Sequence, residues 1–178
     1  MKTRLVSLFA CVGVAASLLS AAPARASAPP PGPALRVPAK VLARSLHCAK
    51  SFPRHGHKPV LLVHGTTVTD EENWGWNYKP QLTKLGFDVC TVLLPNFALG
   101  DVQISSEYAV YAIRAMAHRS HRKIDVIGLS QGPIEPRVAI KWWPDIRNLI
   151  DDFVSMAGTN HGAYFGNADC QYSCAPAL

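Results

Sequence analysis

Ser130 stands in Gly128-Leu129-Ser130-Gln131-Gly132, directly after the apolar run Ile124-Asp125-Val126-Ile127 and before a stretch of helical character. This is the strand–turn–helix setting of a G-x-S-x-G nucleophile elbow. A serine at the tip of such a turn projects its hydroxyl above the sheet, where a base can take the proton. Glycines flank it because a Cβ at either position would meet the neighbouring strand and helix. The chemistry this pattern suits is acyl transfer. Acyl transfer also needs donors for the oxygen that turns negative in the tetrahedral intermediate. A second motif, His64-Gly65-Thr66-Thr67, closes another apolar run and is placed to supply one. The donors would be the backbone N–H groups of Thr66 and of Gln131, the residue after the serine. Alone, each motif reads as a turn; together, at this separation, they are specific.

The elements that must position them follow from periodicity. Lys58 to His64 is a continuous apolar run ending at Gly65, as expected of a strand buried on both faces. Tyr78 to Leu85 reads as a short helix stopped by Gly86, and Phe87 to Leu94 as a second strand ended by Pro95. A longer helix is expected from Val102 to His118, with Ile104, Tyr108, Tyr111 or Ala112, and Ala115 along its buried face. The strand Lys123–Leu129, a helix after Ser130 and a last strand, Asp152–Ala157, complete a β-α-β-α-β-α-β alternation. That order predicts an α/β fold, a parallel sheet covered by helices on both faces. Trp142 and Trp143 are expected to pack the helix after Ser130 against the sheet. Pro133 fits a first helical turn, whereas Pro136 should cost a hydrogen bond and kink the helix.

Residues 1–26 read as an export signal: Lys2 and Arg4, an apolar core, then the small-x-small site Ala24-Arg25-Ala26. Residues 27–45 form an Ala/Pro-rich arm, expected to be extended and poorly packed, and 46–178 a partial α/β domain. Cleavage would remove three of the 18 basic residues and none of the 12 acidic ones, lowering the net charge from +6 to +3. The remaining charge is scattered and lacks the interleaved aromatics of a nucleic-acid surface, so no nucleic-acid partner is expected. No stable membrane anchor is expected, because the apolar run is short for a span. Four cysteines remain after cleavage: Cys48, Cys90, Cys170 and Cys174. An even number in an exported chain favours disulfides, and four allow three pairings. A Cys48–Cys90 bridge would tie the arm to the sheet, and Cys170 could pair with Cys174. No spacing of Cys or His matches a metal site, so no metal and no cofactor are expected.

Taken together, Pro59 to Thr66, Asn73-Trp74, Gln81 to Gly86, Glu107-Tyr108, Leu129 to Gly132 and Trp143 to Arg147 resemble secreted lipases of the Candida antarctica lipase B type and their actinobacterial triacylglycerol-lipase relatives. The resemblance runs from about Cys48 to His161. It implies an α/β-hydrolase fold, Ser130 as nucleophile, Thr66 and Gln131 as the oxyanion hole, and acylglycerols or similar apolar esters as substrates. It also implies a Cys48–Cys90 disulfide, a Thr66 hydroxyl acting as a third donor, and a substrate pocket near Thr67, Leu129 and His161. A monomeric, secreted carboxylesterase or lipase, free of cofactor, is the expectation.

The end of the sequence departs from that pattern. The triad of such a fold runs in the order Ser, Asp or Glu, His. Only 48 residues follow Ser130, carrying the acids Asp145, Asp151, Asp152 and Asp169 and one histidine, His161. In the family the His161 segment usually does not supply the base, so His161 is expected to line the pocket, its recruitment as base being the alternative. The sequence therefore reads as lacking the C-terminal strands, with the acid and base beyond residue 178 and Asp152–Ala157 left as a sheet edge. The alternative is a hydrolase-fold protein that binds apolar ligands without turnover.

Overall fold

The computed structural model describes residues 28–48, 52 and 56–162. A short helix, α1 (Ala39–Ser45), runs into a short strand, β1 (Leu46–Cys48). The first apolar run forms β2 (Val60–Val63), buried at every residue. Helices α2 (Asp70–Trp74) and α3 (Tyr78–Lys84) lead to β3 (Val89–Val92), and α3 stops where Gly86 adopts φ +91°. Then come α4 (Val102–Ser120), β4 (Ile124–Leu129), α5 (Ile134–Trp142) and β5 (Ile150–Met156). Asp101 caps α4 by accepting from the N–H groups of Gln103 and Ile104 at 2.8 and 3.0 Å, and His121 ends it in a left-handed turn.

The sheet order is β1-β3-β2-β4-β5, with β1 antiparallel and the remaining pairs parallel. Alternation along the strands sends side chains to opposite faces. Leu61, Val63, Val92 and Val126 pack with α4 and with Leu42 of α1; Val60, Leu62 and Val89 pack with Trp74 of α2. Both faces are thus covered, which is why the strands read as unbroken apolar runs. Among the described residues β5 pairs with β4 alone and forms one edge, with Val154 44% exposed. Among the same residues no helix is long and apolar enough to cross a membrane.

Four expectations are corrected. The arm is not poorly packed: it forms α1, and Leu35, Val37 and Leu42 reach the main core. Its backbone is gripped by α4, where Glu107 Oε2 accepts from the N–H groups of Arg36 and Val37 at 2.6 and 2.8 Å. This covering explains the second correction, since α4 is buried well beyond one stripe, with Glu107 only 2% exposed. Third, Pro136 breaks nothing. The helix begins late, with Pro133 as its N-cap, so Pro136 lies in the first turn, where its missing N–H has no helical partner. Fourth, of Trp142 and Trp143 only one packs. Trp143 is 5% exposed and donates from Nε1 to Pro33 O at 2.7 Å, while Trp142 is 56% exposed. Cys48 and Cys90 face each other in the β1–β3 register and form the disulfide. Residues 1–26, Cys170, Cys174 and Asp169 lie outside the described residues.

Candidate active site

β4 delivers Ser130 at its carboxyl end in a left-handed conformation, φ +58°. A non-glycine residue adopts this at a cost of order 1–3 kcal/mol, so the surroundings must enforce it. They do so from both sides. Ser130 N–H donates to Met156 O at 3.0 Å, Ser130 O accepts from Thr159 N–H at 3.1 Å, and Gly132 N–H closes the turn on Leu129 O at 2.8 Å. The glycines are needed as expected. A Cβ on Gly132 would collide with Val63 O and lie 2.8 Å from His64 O, and one on Gly128 would lie 2.5 Å from Pro133 N.

The loop after β2 is fastened just as tightly. His64 is fully buried; Leu94 N–H donates to its Nε2 at 2.9 Å. The ring proton is therefore on Nδ1, which donates to Gly65 O at 2.7 Å. Burial holds the His64 pKa below its ordinary value, so the ring is neutral and its two nitrogens are occupied. His64 thus clamps the ends of β2 and β3 and does not serve as a base. Gly65 N–H donates to Asn73 Oδ1 at 2.9 Å, and Thr67, at φ +67°, donates its N–H to Phe97 O at 2.8 Å. Phe97 belongs to Asn96-Phe97-Ala98, three consecutive residues at positive φ.

Side chains join the two motifs across 65 residues of sequence. Thr66 Oγ1 donates to Gln131 Oε1 at 2.5 Å. Gln131, 2% exposed, donates from Nε2 to Ala98 O at 2.8 Å and to Glu135 Oε1 at 2.7 Å. Ala98 O can only accept, so the amide nitrogen must face it, and the amide oxygen must face Thr66. The Thr66 hydroxyl is consequently committed to Gln131 in this state rather than free as a third donor. Glu135 is fully buried, and burial pushes its pKa up to about 7, against the opposing hydrogen bonds from Gln131 and from its own backbone N–H.

The remaining expected residues are placed as follows. Leu129 is half-buried at the end of β4 and packs on the Trp74 core. Thr67 and His161 are exposed, and His161 follows β5 in the loop whose Thr159 holds the elbow. Among the described residues no imidazole or carboxylate is hydrogen-bonded to Ser130 Oγ. Asp145 is held by Arg114 through two bonds, at 2.8 and 2.9 Å. Asp151 and Asp152 lie near the start of β5, between the Ile124–Ile150 and Val126–Phe153 pairs and hence roughly 17 Å of strand away from Ser130. There Asp151 pairs with Lys58 and Lys123. A cleft of about 330 Å³ opens between α5 and the loop after β5, lined by Ile134, Arg137, Val138, Lys141 and Thr159. Thr67, Leu129 and His161 lie outside it.

Glu135, the Asn73 and Ala98 contacts and the clamping role of His64 were not expected from the sequence. Glu135 alone had a signal: it lies one helical turn after Gln131, the spacing at which side chains meet.

The chain is 33% identical to lipase B of Pseudozyma antarctica over 178 residues, covering 98% of this chain and 52% of that protein. Among solved structures it is similar to Aspergillus fumigatus lipase B, with a TM-score of 0.71 and 33% identity over 76% of this chain and 33% of the other. It also superposes on the mature lipase BlEst2 of Bacillus licheniformis, with a TM-score of 0.59 over 68% of this chain and 50% of the other, at 18% identity. The last likeness concerns the fold alone. No family model matches the chain. The fold is that of the α/β-hydrolases, and the chain is lipase-like in sequence and structure. It spans about half the length of the curated relative it matches.

Proposed function

We propose that this chain carries the nucleophile and oxyanion hole of an exported serine ester hydrolase of lipase type, acting on acylglycerols or similar apolar carboxylic esters. One observation carries the reading. Ser130 is locked at φ +58° between β4 and α5, with Thr66 and Gln131 tied to each other beside it. In the proposed reaction Ser130 Oγ attacks the ester carbonyl carbon as its proton passes to a general base. The carbonyl oxygen, now negative, is met by the N–H groups of Thr66 and Gln131. Collapse expels the alcohol, which takes up the proton, and water then releases the acid from acyl-Ser130. We place the general base and its carboxylate outside residues 28–162, because Asp145 and Asp151 are paired elsewhere and His64 is clamped. Export is supported by the leader-like residues 1–26 and by the Cys48–Cys90 disulfide, a bond that persists in oxidising compartments.

The test is hydrolysis of a short-chain p-nitrophenyl ester by the purified chain and by Ser130→Ala. The proposal expects turnover lost on substitution. Turnover that Ser130→Ala leaves undiminished contradicts it. Binding of the ester without turnover by either protein favours the second reading, a hydrolase fold that holds apolar esters but does not cleave them.

A further inference from the structure

Among the described residues, Glu135 is the one buried carboxyl near the elbow to which the proposed mechanism gives no work. Its side chain is fully buried on α5. Among the described residues Oε1 accepts from Gln131 Nε2, whereas Oε2 has no hydrogen-bond partner and no cation is paired with it. A carboxyl in such surroundings costs stability that an apolar residue of similar size would not. Packing therefore does not account for it. What it does touch is Gln131, whose backbone N–H is one of the two proposed oxyanion donors.

The contacts form an unbroken line. Glu135 Oε1 and Ala98 O hold the two protons of the Gln131 amide, at 2.7 and 2.8 Å. The amide oxygen so oriented takes the Thr66 hydroxyl at 2.5 Å. The residues carrying the two donors come from separate loops, one after β2 and one after β4, and this line is a side-chain bridge between them. Without the Glu135 end, the amide keeps a single acceptor and can rotate away from Thr66.

We propose that Glu135 is a positioning residue of the oxyanion hole, acting through the Gln131 amide to fix the spacing of the Thr66 and Gln131 backbone donors. This inference rests on the reading of Ser130 as nucleophile. Its effect is on the reaction step rather than on the capture of substrate, because the donors are used only as the oxyanion forms. Loss of this alignment lowers the rate of that step by about 10- to 100-fold, the scale of small misplacements.

The experiment is the rate at which diethyl p-nitrophenyl phosphate modifies Ser130 in the full chain, followed by release of p-nitrophenolate and located by peptide mass mapping. Ser130 Oγ bonds to phosphorus, the aryl oxygen leaves with the bonding pair, and the serine proton goes to the base or to solvent. The phosphoryl oxygen occupies the oxyanion position. Saturation kinetics, run well below each variant's unfolding midpoint, separate limiting rate from affinity. Glu135→Leu is expected to lower the limiting rate by about 10-fold or more, with reagent affinity unchanged. Glu135→Gln keeps an acceptor for Gln131 and is expected to restore most of that rate. Should Glu135→Leu fail to fold, Gln131→Met cuts the same bridge while keeping the backbone donor, and the same loss is expected. Labelling of wild type with limiting rates that neither substitution changes overturns this inference and leaves the serine reading standing. A Glu135→Gln rate as low as that of Glu135→Leu overturns it too. Wild type that is not labelled at Ser130 overturns the serine reading and this inference with it.

Discussion

Replacing Glu135 by Gln should change how stability depends on pH, in a direction and by an amount that follow from its burial. Burial raises the Glu135 pKa from 4.5 to about 7, although the Gln131 bond works the other way. The folded protein therefore binds this proton more tightly than the unfolded chain does. The resulting stabilisation is fully present below pH 4.5, is lost as pH rises, and is gone above about pH 7. At about 1.4 kcal/mol per pH unit, the loss amounts to roughly 3 kcal/mol. Glutamine has the same shape and no charge, so it removes this dependence while retaining an acceptor for Gln131. Other titrating groups, such as Asp125, raised by burial, and His64, lowered by it, are present in both proteins and cancel in the difference. Urea melts of both proteins from pH 4.5 to 8 measure it. The stability of Glu135→Gln minus that of wild type should rise by about 3 kcal/mol across that range. A difference that stays flat to within about 0.5 kcal/mol would mean that Glu135 is solvated or paired and not held protonated by burial.

Three further outcomes follow. Gly132→Ala places a Cβ against Val63 O and His64 O, both backbone atoms that cannot give way; a loss of about 3 kcal/mol or more is expected in denaturant melts. Reducing Cys48–Cys90 frees a 42-residue separation, and loop-closure entropy puts the loss at about 4 kcal/mol. A thermal melt with and without a thiol reductant measures it. Burial would raise the Asp70 pKa, but hydrogen bonds from Thr91 and His47 outweigh this and hold it below 3.8. Its contribution is present at neutral pH and disappears as pH falls through that range, so Asp70→Asn should flatten the acid limb of a stability–pH curve.

The sheet and the elbow were legible in the sequence because each had an unambiguous physical cause. Strands buried on both faces are continuous apolar runs, as at Val60–Val63, and a serine held at positive φ needs glycine at Gly128 and Gly132. The misreadings share a different cause: each depended on what lies on the far side of an element. Composition reads residues 27–45 as a loose arm, yet Glu107 and Trp143 anchor its backbone, and that same arm buries the face of α4 that periodicity leaves exposed. The harmlessness of Pro136 depends on where α5 begins, which the elbow decides and local propensity does not. At Glu135 the spacing from Gln131 was a signal outweighed for the same reason, since an acidic residue in a first helical turn ordinarily faces water, and only the packed structure turns it onto Gln131.

The most direct test of the central claim is peptide-resolved mass spectrometry of the intact chain after exposure to an organophosphorus ester. One diethylphosphoryl group is expected, carried by the peptide containing Ser130 and absent from Ser130→Ala. Modification at another residue, or a wild-type Ser130 labelled no faster than in the urea-unfolded chain, would contradict it.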